Sequence, residues 1–144
     1  KVEKRETLTD YQWRLTDDNG QPFDFSQAQG KVVFLNTWAT WCPPCIAEIP
    51  AIQQLYNKYR NNPDIVFVFA TTDPKPTVDK FMADRGYDLP AHYIQSAPPQ
   101  QLASNTIPIT FLIGKDGGIA IKKVGAADWN SKKVTDTIDG LLKE

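Results

Sequence analysis

Two periods run through the hydrophobic and polar positions of this chain. Val32-Val33-Phe34-Leu35 and Ile65-Val66-Phe67-Val68-Phe69-Ala70 are apolar without interruption, the pattern of strands covered on both faces. Ile109-Thr110-Phe111-Leu112-Ile113 predicts another strand, Lys115-Asp116-Gly117-Gly118 a turn, and Ile119 to Val124 the strand that returns beside it. Elsewhere the spacing changes to steps of three and four. Ile46, Ile49, Ile52, Leu55, Tyr56 and Tyr59 predict a helix from Pro43 to about Arg60, kinked at Pro50 and stopped by Asn61-Asn62-Pro63. Val78, Phe81 and Met82 predict a second helix that ends at Gly86, and Val134, Ile138, Leu141 and Leu142 line a third between Ser131 and Leu142.

Near the N-terminus the alternation is of period two. Tyr11, Trp13 and Leu15 alternate with Gln12 and Arg14, Asp17-Asp18-Asn19-Gly20 marks a turn, and Pro22-Phe23-Asp24-Phe25 alternates again, which predicts a β-hairpin with Asn-Gly at its tip. Leu89 to Ile94 reads as a short strand despite Pro90, and Pro98 to Ser104 as a short helix. Residues 1–10 are polar and charged, the composition of a flexible lead-in. The order over 11–144 is a hairpin, a β-α-β-α unit and a β-β-α unit, with no internal repeat and no linker, so one α/β domain is expected.

Composition narrows the function classes. A chain of 144 residues with net charge −1 has no basic footprint for nucleic acid or an anionic membrane surface. No apolar run approaches the length of a bilayer span. The chain starts at Lys1 without a signal-like segment, so any export signal or membrane anchor would lie outside this sequence.

The 2 cysteines, Cys42 and Cys45, sit where a buried strand turns into a helix. Cys42 precedes Pro43, which suits it to the N-cap; Pro43 and Pro44 then occupy the first helical turn, where a missing N–H loses no intrahelical bond. Free first-turn N–H groups and the positive end of the helix dipole favour a Cys42 thiolate. Cys45 lies on the same face, within reach of a disulfide with Cys42. Cys42 is therefore the expected nucleophile and Cys45 the resolving thiol. A static disulfide and half of a metal site are the competing readings of an isolated CxxC. A four-cysteine zinc site lacks its second pair, and the single histidine, His92, is remote in sequence and reads as structural or exposed.

Val33-Phe34-Leu35-Asn36-Thr37-Trp38-Ala39-Thr40-Trp41-Cys42-Pro43-Pro44-Cys45, Glu48-Ile49-Pro50, Thr106-Ile107-Pro108-Ile109-Thr110-Phe111-Leu112-Ile113 and Lys123-Val124-Gly125 together resemble the thioredoxin superfamily, and within it the TlpA/ResA-type thiol-disulfide oxidoreductases of the bacterial envelope. The resemblance implies a three-layer α/β/α thioredoxin-like fold with a mixed central sheet and an added N-terminal hairpin. It makes Pro108 a cis-proline facing the cysteines and the Ile107 backbone a pairing edge for an extended substrate. Trp41, Pro43, Pro44, Ile107, Pro108 and Gly125 are the expected substrate contacts, with Trp38 as packing beneath. Asn36 stands where typical thioredoxins carry a buried aspartate, and Glu48, one turn beyond Cys45, is the candidate replacement as proton acceptor, against the plainer role of a solvated helix glutamate. The expected activity is electron exchange with protein disulfides through Cys42 and Cys45, most simply as a reductant in cytochrome c maturation or a similar envelope process. No organic cofactor and no metal is needed, since the two sulfurs carry both electrons. The partners would be a protein disulfide and a membrane-bound upstream thiol donor, the protein a monomer, and the location periplasmic or otherwise extracytoplasmic. A disulfide oxidant and a copper-binding module are the alternatives, the second disfavoured because Sco-type carriers use CxxxC with a distal histidine.

Overall fold

A computed structural model describes residues 5–144. The strands are β1 (Arg14–Thr16), β2 (Pro22–Asp24), β3 (Val32–Thr37), β4 (Ile65–Thr71), β5 (His92–Ile94), β6 (Ile109–Ile113) and β7 (Ile119–Val124); the helices are α1 (Pro43–Tyr59), α2 (Lys75–Arg85) and α3 (Lys132–Leu142). All strands join one sheet in the order β2-β1-β5-β4-β3-β6-β7. β3 runs parallel to β4 and antiparallel to β6, and β4 runs parallel to β5, so the uninterrupted apolar runs occupy its centre. The hairpin forms with Leu15 opposite Phe23 and adds to the edge of β5. Gly20, at its tip, has φ 74°, a conformation that only glycine adopts freely.

The chain steps from β3 to β4 to β5 in one direction across the sheet. Right-handed crossovers then place α1 and α2 on the same face. α3 joins them, and the buried residues of all three helices meet Val32, Phe34, Phe67 and Phe69 in one cluster. The opposite face, lined by Val33, Leu35, Val68 and Phe111, is covered by Leu8, Tyr11, Trp13, Phe25, Ala28 and Leu102. The thioredoxin-like mixed sheet and the added hairpin are thus as expected. The second covering layer, however, is N-terminal segment and short 3-10 turns at Phe25–Ala28 and Gln100–Leu102 rather than a long helix.

The lead-in also differs from expectation. Residues 1–4 lie outside the described residues, but Glu6 to Thr9 are held. The Leu8 N–H donates to the Gly117 carbonyl at 2.8 Å, the Ile119 N–H donates to the Glu6 carbonyl at 2.7 Å, and Leu8 is buried. The edge strand β7 needs this cover at its start, and a charged segment carrying one leucine supplies it.

Candidate active site

β3 ends by handing the chain to a tight loop. The Trp38 N–H donates to the Ala70 carbonyl at 3.0 Å, and the Thr40 N–H and hydroxyl both donate to Asp73 Oδ2 at 2.8 Å. Asp73, on the loop after β4, thereby fixes the turn that delivers Trp41 and Cys42. Cys42 is the N-cap of α1, with extended backbone (φ −101°, ψ 105°), and its sulfur accepts the Cys45 N–H at 3.3 Å. Pro43 and Pro44 fill the first turn, and Cys42 and Cys45 are joined as a disulfide with Cα atoms 5.3 Å apart. Cys45 lies in the core, and Cys42 too is only 4 % exposed in the disulfide. Around it Trp41, 71 % exposed, and the exposed Pro43 and Pro44 form the rim. Trp38 turns inward against Phe81, ring centroids 5.6 Å apart, as packing.

The other wall comes from the entry to β6. The Ile107–Pro108 bond is cis, and the Ile107 carbonyl oxygen lies 3.9 Å from Cys42 Sγ. The Gly125 N–H donates to the Pro108 carbonyl at 2.8 Å. Gly125 has φ 92° with open space where a Cβ would stand, so backbone conformation, not crowding, calls for glycine there. Beside this edge a largely apolar groove of about 310 Å³ is lined by Trp13, Trp38, Trp41, Ile94, Ile107 and Ile109, among others. A larger hollow, about 760 Å³, lies between β7 and α3 and touches neither cysteine.

One turn beyond Cys45 on α1 lies Glu48, 3 % exposed. Three donors converge on it: the Trp129 indole N–H at 2.7 Å and the Ala127 N–H at 3.3 Å on Oε1, and the Asn36 amide at 2.9 Å on Oε2. Asn36 spends its other amide hydrogen on Thr110 Oγ1, also at 2.9 Å. Burial pushes the Glu48 carboxyl above the usual carboxylate range, and the bonds from Trp129, Asn36 and Ala127 oppose that rise. The site thus presents one sulfur at a helix start, a second one turn on, and a buried acid one turn beyond that. Such a set can pass a disulfide from partner to protein or back.

The Redoxin family model matches residues 4–138. The chain belongs to the Redoxin family. It is 31% identical over 133 residues to the thiol-disulfide oxidoreductase ResA of Bacillus cereus, covering 90% of this chain and 72% of that protein. The solution structure of a putative protein disulfide isomerase from Bacteroides thetaiotaomicron superposes with TM-score 0.80 and 25% identity, covering 99% of this chain and 92% of that one. A putative thiol:disulfide interchange protein DsbE from Chlorobium tepidum superposes with TM-score 0.76 at 24% identity over 99% of both chains, a likeness of fold. This Redoxin protein is a thiol-disulfide oxidoreductase of the TlpA/ResA-like group within the thioredoxin superfamily.

Sequence reasoning brought Cys42, Cys45, Glu48, Trp41, Ile107, Pro108 and Gly125 to the site, and the structure gathers them around the disulfide. It missed Trp129, Ala127, Asp73 and Thr40. The available signal for Trp129 was a lone aromatic in the small and polar stretch Gly125-Ala126-Ala127-Asp128-Trp129-Asn130. His92 is structural: it is buried, and its Nδ1 accepts the Phe69 N–H at 3.1 Å.

Proposed function

We propose that this Redoxin protein reduces disulfides of extended protein segments outside the cytoplasm, as in cytochrome c maturation or a similar envelope process. The observation that carries the reading is the Cys42 sulfur at the start of α1, 3.9 Å from the carbonyl of Ile107. A peptide lying along Ile107 brings its own sulfur in line with Cys42, and backbone pairing holds it without reading its side chains. Trp41 and Val124, the two large hydrophobic residues exposed among those described, both border this edge. That supports an apolar, uncharged contact with the partner.

The Cys42 thiolate, stabilised by the Cys45 N–H and the other first-turn donors, attacks one substrate sulfur and forms a mixed disulfide. Cys45 then attacks the Cys42 sulfur, Glu48 takes the Cys45 proton, and the substrate leaves reduced. Both electrons reside on the two sulfurs, so no organic cofactor or metal takes part. An upstream thiol donor, membrane-bound in this reading, returns the pair to the dithiol form. Among the described residues no helix is long and apolar enough to cross a membrane.

The test is a trap. Cys45→Ser should hold substrate as a mixed disulfide on Cys42 that dithiothreitol releases, and Cys42→Ser should hold none. Wild-type protein that reduces no protein disulfide under excess dithiol, together with an empty Cys45→Ser trap, would overturn the reading.

A further inference from the structure

We propose that Trp129 is a positioning residue for the exchange reaction: its indole N–H turns the buried Glu48 carboxyl so that Oε2, not Oε1, receives the proton. This rests on the reading of Glu48 as the acceptor of the Cys45 proton.

The argument is one of occupied positions. Each carboxylate oxygen offers two lone-pair directions. Oε1 has both filled, by Trp129 Nε1 at 2.7 Å and by the Ala127 N–H at 3.3 Å. Oε2 has one filled, by Asn36 Nδ2 at 2.9 Å, and keeps one free. A proton arriving at Oε2 therefore displaces no existing bond, whereas at Oε1 it would have to evict a donor. The indole cannot simply rotate away. Trp129 is 2 % exposed, and its ring meets Phe34 edge-on with centroids 5.4 Å apart and planes at 87°. The carboxyl group's orientation is thus set by a rigid aromatic seated on β3, reached from the loop that begins at Gly125 beside Pro108.

All three partners donate to the carboxylate against the burial that raises its pKa, and proton arrival weakens the charge-assisted bonds at Trp129 and Ala127. The loop next to the substrate edge consequently registers the proton state of the site. Other ionisable groups are few. Cys45 stands one turn before Glu48 on α1, and Asn36 of β3 and Thr110 of β6 are neutral. Lys123 of β7, opposite Thr110, is exposed, as is Asp128, whose carboxylate accepts the Asn130 N–H. In the step concerned, the Cys45 thiol gives its proton to Oε2 and its sulfur bonds to the Cys42 sulfur. The bond from Cys42 to the substrate sulfur breaks, and the electron pair of that bond leaves on the substrate thiolate, which takes up a proton from water.

The experiment uses the full chain as wild type, Glu48→Gln and Trp129→Phe. In the reduced wild type, the nuclear magnetic resonance signal of the Trp129 indole N–H should move with pH along a single inflection that Glu48→Gln abolishes. The same inflection should govern the rate at which Cys45 resolves a mixed disulfide preformed on Cys42. Trp129→Phe removes the strongest donor to the anion, so this inflection should move up by about one pH unit. An indole signal without a Glu48-dependent inflection, or a Trp129→Phe profile that overlays the wild type, overturns the proposal. Should Trp129→Phe not fold, the indole titration of wild type against Glu48→Gln decides alone. Failure of the function reading is a separate outcome, namely a wild type that reduces nothing. Resolution by Glu48→Gln at the wild-type rate removes the acceptor and Trp129's role with it.

Discussion

His92 should make this protein acid-sensitive. Burial depresses its pKa from the ordinary 6.5 to about 4, with the Asp17 charge pushing the other way. Its Nδ1 accepts the Phe69 N–H at 3.1 Å, a bond that a protonated imidazole cannot keep. Between those two pH values the unfolded chain binds a proton that the folded chain refuses. The contribution is therefore complete above about pH 6.5 and falls as the pH is lowered, levelling off below about pH 4, where both states carry the proton. The gap corresponds to roughly 3 kcal/mol. His92→Asn isolates this contribution, because Asn Oδ1 stands as many bonds from Cα as Nδ1, so it can accept from Phe69 yet cannot be protonated. The variant loses the ring packed on Phe23 (centroids 4.7 Å apart) and should be about 1–2 kcal/mol less stable than wild type at neutral pH. Urea unfolding at neutral pH and at about pH 4 should show the wild type losing roughly 3 kcal/mol more than the variant. Parallel losses in the two proteins would refute this account of His92.

Trp41 and Asp73 separate docking from loop support. Trp41→Ala, at a site 71 % exposed, should change stability by no more than about 0.5 kcal/mol yet weaken KM for a protein disulfide several-fold. Turnover of a small-molecule disulfide by this variant should stay as it was, and an equal effect on both substrates would deny Trp41 a docking role. Asp73→Ala strips the acceptor shared by the Thr40 N–H and hydroxyl, and at two bonds to a charged group should cost about 3 kcal/mol. Thermal melting should fall by roughly 10 °C, and a melt within about 2 °C of wild type would show that Asp73 does not hold the loop.

Much of the molecule was legible because its signals are local. The buried strands β3 and β4 declare themselves by unbroken apolar runs, α1 and α3 by helical spacing, and the cysteine pair by lying where one period gives way to the other. What was hidden depends on distant partners. Trp129 and Glu48 are 81 residues apart, Thr40 and Asp73 33, and no periodicity in either segment advertises the bond between them. Leu8 looked like part of a loose lead-in because a single leucine among charges has no period, and only the turn at Gly117 gives it a place. His92 reads in sequence as structural or exposed, and only the Phe69 N–H of β4, which its Nδ1 accepts, decides between the two. The near-complete burial of Cys42 was equally invisible, because Ile107, whose carbonyl lies 3.9 Å from the Cys42 sulfur, is 65 residues away.

An amide at position 36 suits the same geometry. An aspartate at that position would set a second carboxylate in contact with Glu48 Oε2, where the Asn36 amide now donates at 2.9 Å. Two like charges at that separation in a buried site cannot both persist, so one would hold a proton at neutral pH, and the pair would titrate jointly. An amide avoids the conflict. It donates to Glu48 and to Thr110 at once and leaves a single acid one turn beyond Cys45, with its protonation set by burial and by three donors. Asn36→Asp should therefore split the single inflection expected for Glu48 into two, seen in the Trp129 indole signal, with the upper one above the wild-type value. If the variant instead titrates once, at the wild-type position, the contact between residues 36 and 48 does not control the acid.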